Sequence, residues 1–126
     1  MTGAIDATFS PAGATSNGFD GTVNSIALNA TDVYVSGFVS AYKGVANSAN
    51  GIAKLGLTSG AIDTVFGPVG PTANGVDDEV YTFTLGTSTC AVGCGTVLLL
   101  GGLFERYRGT PAGSLAILDP TTGAVK

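Results

Sequence analysis

Short β-type runs, separated by turn residues, set the hydrophobic pattern of the chain. Val23 to Leu28 alternates Val23, Ser25 and Ala27 with Asn24, Ile26 and Leu28, the two-residue period of a strand with unlike faces. Val33 to Phe38 is β-branched and aromatic and stops near Gly37, while Ile52 to Leu57 and Ile62 to Phe66 supply two further predicted strands. Val80 to Leu85, Thr96 to Leu100 and Leu115 to Leu118 read the same way. Asn29-Ala-Thr-Asp32 has the chemistry of a hairpin loop. No eleven-residue window keeps an apolar helical stripe clear of Gly and Pro. The longest apolar run, Val97 to Leu100, ends in Gly101-Gly102 and falls far short of the ~18–20 residues a membrane helix needs. Direct membrane insertion is not expected.

The pattern occurs twice. Thr2-Gly-Ala-Ile-Asp-Ala-Thr-Phe9 recurs as Ser59-Gly-Ala-Ile-Asp-Thr-Val-Phe66 at an offset of 57, which also maps Asn17-Gly18 onto Asn74-Gly75, Asp20 onto Asp77, Val23 onto Val80 and Leu28 onto Leu85. Val35-Ser-Gly-Phe-Val-Ser-Ala-Tyr-Lys-Gly44 then matches Leu100-Gly-Gly-Leu-Phe-Glu-Arg-Tyr-Arg-Gly109 at an offset of 65, so the second copy has gained eight residues, and these include Cys90 and Cys94. Ile52-Ala-Lys-Leu55 matches Leu115-Ala-Ile-Leu118 at offset 63, and Thr122-Gly-Ala-Val125 restarts the motif. The expected organisation is a first repeat over 2–58, a second over 59–121, and the start of a third at 122–126. Four short antiparallel strands in roughly sixty residues, repeated, is the pattern of a propeller blade.

Gly-Ala-Ile-Asp-x-x-Phe, a strand running into Gly and Phe, Tyr-(Lys/Arg)-Gly and Ile-Ala-x-Leu together resemble the delta-sixty repeat. That bacterial β-propeller family repeats Gly-x-(Ile/Leu)-Asp-x-x-Phe at intervals of roughly sixty residues. The likeness spans residues 2 to 121. It departs from the family at the cysteine insertion, and at Ile117, where the first copy has the basic Lys54. The resemblance implies a propeller fold and an exported or surface setting, and it implies no catalytic residues.

Two blades alone would expose two apolar faces and open sheet edges, and propellers close with about four to eight blades. The fold class expected is therefore all-β: two four-stranded propeller blades, completed to a six-bladed β-propeller by homotrimerisation. In that ring Gly3-Ala-Ile-Asp-Ala-Thr-Phe9 of one chain is expected to complete the last blade of its neighbour. The rival is a segment of a longer propeller, with Met1 a start placed ahead of the repeat, or a sheet stacked on itself; no signal peptide is read at Met1-Thr-Gly-Ala4.

Composition narrows the function. The 126 residues include 20 Gly, 5 basic and 9 acidic side chains, a net charge of −4, and neither His nor Trp. Five scattered cations argue against nucleic acid as a partner. Without His there is no Ser-His-Asp triad and no His-ligated zinc. Cys90 and Cys94 alone make a poor metal site, and a local loop disulfide is the expected state over two thiols, which would imply an oxidising compartment.

Three groups of residues stand out as candidate ligand contacts. Asp20 and Asp77, each following an Asn-Gly pair, and Asp77-Asp78-Glu79 offer oxygen ligands for sugar hydroxyls or calcium. The plainer reading, favoured here, is that these side chains fix turns. Glu105-Arg-Tyr-Arg108 sets two guanidinium groups beside a ring and a carboxylate, suited to paired hydrogen bonds and stacking. Tyr42 and Tyr107, as repeat positions, read equally as framework, and Asp6 and Asp63 as turn caps or blade anchors. No catalytic residue, metal site or cofactor is expected. The function expected is a non-enzymatic recognition module, an extracellular bacterial adhesin or lectin-like domain binding a surface glycan or cell-envelope component. In arrangement only, it is similar to trimeric fibre-tip adhesins. The alternatives are a structural or protein-binding segment of a larger surface protein, and a glycoside hydrolase using two close carboxylates.

Overall fold

The computed structural model describes residues 3–4, 6–9, 17–68, 70, 75–89 and 95–126. Every element in it is a strand: β1 (Thr22–Leu28), β2 (Asp32–Phe38), β3 (Ile52–Gly56), β4 (Val80–Ser88), β5 (Gly95–Gly102), β6 (Arg106–Tyr107), β7 (Thr110–Pro111) and β8 (Leu115–Leu118). The protein is all-β. Two antiparallel sheets, β1-β2-β3 and β4-β5-β8, form its body, and β6-β7 is a small hairpin beside the second.

The repeat seen in the sequence is a repeat in space. Both sheets carry a bulge in their first strand, between Val23 and Ser25 and between Val80 and Thr82. In both, the third strand gains one bridge from the restart motif, Leu55 with Ile62 and Leu118 with Val125. Where four strands per unit are expected, three form and the fourth shrinks to that bridge. The expected strand Ile62 to Phe66 ends at once because the Asp63 carboxylate accepts the Val65 and Phe66 amides and turns the chain. The Thr122–Val125 stub is built into its own sheet in the same way, with Asp119 N–H donating to the Ala124 carbonyl at 2.8 Å and Lys126 N–H to that of Ile117 at 2.9 Å. The place that Gly3–Phe9 of a neighbour was expected to fill is thus already taken within the chain.

Register assigns the faces. Ile26 and Leu28 pair with Val35 and Val33, which pair with Ala53 and Leu55, so these six residues share the outer face of the first sheet. Its other face carries Ser25, Ala27, Tyr34, Ser36, Ile52 and Lys54. This face meets Phe83, Leu85, Leu98, Leu100, Ala116 and Leu118 of the second sheet in the main core, where Tyr34, Ile52, Leu98 and Leu118 are almost wholly buried. Polar groups pin the two first strands side by side: Asn24 Nδ2 donates to the Val80 carbonyl at 2.9 Å and Ser25 Oγ to that of Phe83 at 3.3 Å. Between the sheets lies one buried cation, Lys54, 3.0 Å from Asp63 and 3.6 Å from Asp32.

Tyr-(Lys/Arg)-Gly is a turn motif. Lys43 and Gly44 have φ of 48° and 76°, and Arg108 and Gly109 have 47° and 76°, the paired positive values of a two-residue type I′ hairpin. The flanking residues pair, Tyr42 with Val45 and Tyr107 with Thr110. Glycine at the second position removes the steric cost of that conformation.

Candidate functional site

The stacking of the two sheets opens a cleft of about 500 Å³ at one end of the strands, where the first strand begins. It brings together Asp20, Asp77 and Asp78 with Phe38 and Ser40. Asp20 precedes β1, and its Oδ1 accepts the Ser40 and Ala41 amides at 2.8 Å while Oδ2 accepts the Ser40 hydroxyl. The Ser40 hydroxyl first, then the Ala41 amide, holds the Asp20 pKa down at about 2. Asp77 repeats the arrangement one unit on, its Oδ1 accepting the Glu105 and Arg106 amides at 3.0 and 2.9 Å. Both carboxylates therefore clamp the segment that leaves the second strand of their unit, the turn-fixing role. Asp78 Oδ1 accepts the Glu79 amide at 2.7 Å. A carboxylate has about four acceptor sites, so Asp77 and Asp78 keep acceptor capacity beyond these bonds.

Phe38 is the cleft residue that sequence reasoning missed. It ends β2 and is 63% exposed, although it is large and apolar. The signal was present: Leu103 occupies the same place in the second copy and is 54% exposed, so an apolar residue follows the strand-ending glycine in both units without entering the core.

The Glu105–Arg108 group is dispersed. Tyr107 is only 1% exposed, and its hydroxyl donates to the Gly123 carbonyl at 2.7 Å, just as Tyr42 donates to Gly60 at 2.9 Å. Burial pushes the Tyr107 pKa up to about 12. Arg108 lies over the Tyr107 ring and donates to the Phe66 carbonyl, and Arg106 donates to the Gly109 carbonyl at 3.0 Å. Glu105 is exposed and joins the cleft through its backbone bond to Asp77. Tyr107 and Arg108 are framework here, matching Tyr42 and Lys43, whose ammonium lies 5.3 Å from the Tyr42 ring.

A second cleft, of about 490 Å³, opens at the other end of the strands, lined by Asn29, Asp32, Lys54, Asp119 and Lys126. Its charges are matched internally, Lys54 by Asp32 and Asp63, and Lys126 by Asp119 at 3.8 Å. Among the described residues no three His, Cys, Asp or Glu side chains gather as metal ligands. Cys90 and Cys94, and the Asn74 member of the Asn-Gly pairs, lie outside the described residues. No family model, curated protein or solved structure matches the chain.

Proposed function

We propose that the chain is a non-enzymatic recognition module, a pair of propeller-type blades whose inter-sheet cleft takes a glycan. The observation that carries this reading is the exposed Phe38 ring in one cleft with Asp20, Asp77 and Asp78. An aromatic face covers the apolar C–H side of a sugar, and carboxylates and backbone groups take its hydroxyls. An extracellular, bacterial-surface setting belongs to the same reading: single sugar contacts are weak, and surfaces that display many copies multiply them.

A glycan array probed with the purified protein tests the reading, followed by titration of the best oligosaccharide into Phe38→Ala and Asp78→Asn. Both positions are exposed, so folding is retained. Each variant is expected to weaken binding about tenfold or more, as loss of a stacking surface or a charged acceptor does. Binding that survives both substitutions moves the site elsewhere, and a blank array removes the glycan.

A further inference from the structure

The internal repeat supplies a template for a second contact. Every outer-face residue of the first sheet has its counterpart on the buried face of the second: Ile26 corresponds to Phe83, Leu28 to Leu85, and Val33 to Leu98. The same residue position is 60% exposed at Ile26 and 5% exposed at Phe83, because only the second sheet has a neighbour on that side. Conversely, the buried face of the first sheet is copied on the outer face of the second. There Ile52 becomes Leu115, 61% exposed, and Lys54 becomes Ile117, 40% exposed.

The substitutions at this outer face are mixed, with Ala27 becoming the exposed Thr84, but at its centre the charge is lost. The interface inside the chain tolerates the buried Lys54 with Asp32 and Asp63. The copy of that face on the second sheet has the exposed Ile117 in place of Lys54, and the buried Val97 in place of Asp32. A face left to water would be expected to carry the charges, and the covered one the apolar residues. At Lys54 and Ile117 the reverse is found, and the exposed apolar pair Leu115 and Ile117 marks a contact.

We propose that the outer face around Leu115 and Ile117 binds the outer face around Ile26 and Leu28 of a second copy of this chain. The junction repeats the one between the two sheets. Two different patches meet, so the association is heterologous and propagates until a ring closes. Rings of two to four copies hold the four to eight sheets that such closures use, and three copies give six. Each junction also rebuilds the rim cleft with changed chemistry. Asp77, Leu103 and Glu105 replace Asp20, Phe38 and Ser40, and Asp20 of the partner subunit stands where Asp77 stands within the chain. The ring therefore alternates two kinds of cleft.

Light scattering on size-exclusion fractions reads the assembly independently of any sugar. The wild-type protein is expected at a multiple of the 12.4 kDa chain mass, three-fold for six sheets. Ile26→Glu and Ile117→Glu alter exposed positions on opposite faces, and each alone should run as a monomer with an unchanged β-type circular dichroism spectrum. Mixed, they keep one good junction between them and should stop at a heterodimer. A wild-type monomer at every concentration overturns the proposal, leaving another repeat or partner as the occupant. So does an Ile26→Glu variant that still forms full rings, or a mixture that forms no more complex than either variant alone.

Discussion

Phe9 and Phe66 hold the same position in their repeats but differ in what covers them, and that difference can be weighed. Each lies against the backbone of the next restart motif, within 3.3 Å of where a side chain on Gly60 or Gly123 would begin. Phe66 is 1% exposed, between the sheets, with its ring 5.7 Å from that of Tyr34 in an edge-on contact. Phe9 is half-buried on the outer face beside Val35, Tyr42 and Leu55. Truncating a fully buried Phe to Ala costs about 3–5 kcal/mol, and the lost aromatic contact is part of that sum. Phe9→Ala, removing roughly half as much burial, should cost about 1–2 kcal/mol. Equilibrium unfolding in urea, with a slope of about 1.5 kcal/mol/M, would then lower the midpoint by about 2–3 M for Phe66→Ala and about 1 M for Phe9→Ala. If the first variant is too unstable to fold, Phe66→Leu keeps the comparison measurable. The background should be Ile117→Glu, so that a partner copy does not cover Phe9. In the assembled wild type, the Phe9 loss should move toward the Phe66 value. Equal losses in the monomer would refute the face assignment, because the sheet stacking alone distinguishes the two sites.

Two further perturbations probe the interior and the pH limits. Lys54→Met strands two partly buried carboxylates and should cost about 2 kcal/mol, roughly 8 °C in Tm. Lys54→Ile with Asp32→Val copies Ile117 and Val97 of the second unit and removes the stranded Asp32 but not Asp63, so it should recover part of the loss in the same melting assay. On the acid side, Asp20 is held at about 2 by the Ser40 and Ala41 donors, against 3.8 for the ordinary side chain. A depressed folded value contributes stability above the unfolded value, so unfolding free energy should fall as pH drops from about 4 to about 2. The exposure of Asp20 keeps its share small, and Asp20→Asn should flatten this part of the profile. On the alkaline side burial raises Tyr107 to about 12, so stability present below pH 10 should decline between about 10 and 12, and Tyr107→Phe should remove that decline.

The strands were readable because alternation and turn residues are local signals. The predicted run Val23 to Leu28 lies within β1, and Val33 to Phe38 within β2. Ile62 to Phe66 was misread because its apolar residues resemble a strand, while the Asp63 cap that breaks it looks like any polar residue in the run. Asp20 and Asp77 were legible as turn-fixing groups from the Asn-Gly pairs beside them. What they fix, the Ser40–Ala41 and Glu105–Arg106 segments, lies 20 to 29 residues away and needed the fold. The cleft itself was not legible. It exists only once two units stack, and its lining comes from the start and middle of the first repeat and the start of the second. Tyr107 shows the opposite limit: a ring flanked by two arginines suggests a ligand platform, but burial is decided by the sheet it turns toward.

The junction within the chain and the proposed one between copies would place different demands on the fold. Inside the chain, tethering already brings the sheets together, so the junction can afford Lys54, whose burial works against its charge while Asp63, Tyr34 and Asp32 more than offset this and raise its pKa. A buried ion pair adds little net stability, yet it penalises any packing that separates its members. Lys54 reaches from the first sheet to Asp63 in the restart segment, and Asn24 and Ser25 bond across to the second sheet. These directional contacts hold one register. At the outer face their counterparts are Ile117, Tyr81 and Thr82, and Tyr81 is 50% exposed. A junction between separate chains must also overcome the loss of translational and rotational freedom. Replacing the ionic group by apolar area removes a desolvation cost where no tether helps to meet it. The departure from repeat symmetry at Lys54 and Ile117 is thus what a chain would need if one of its two junctions is formed within it and the other between copies.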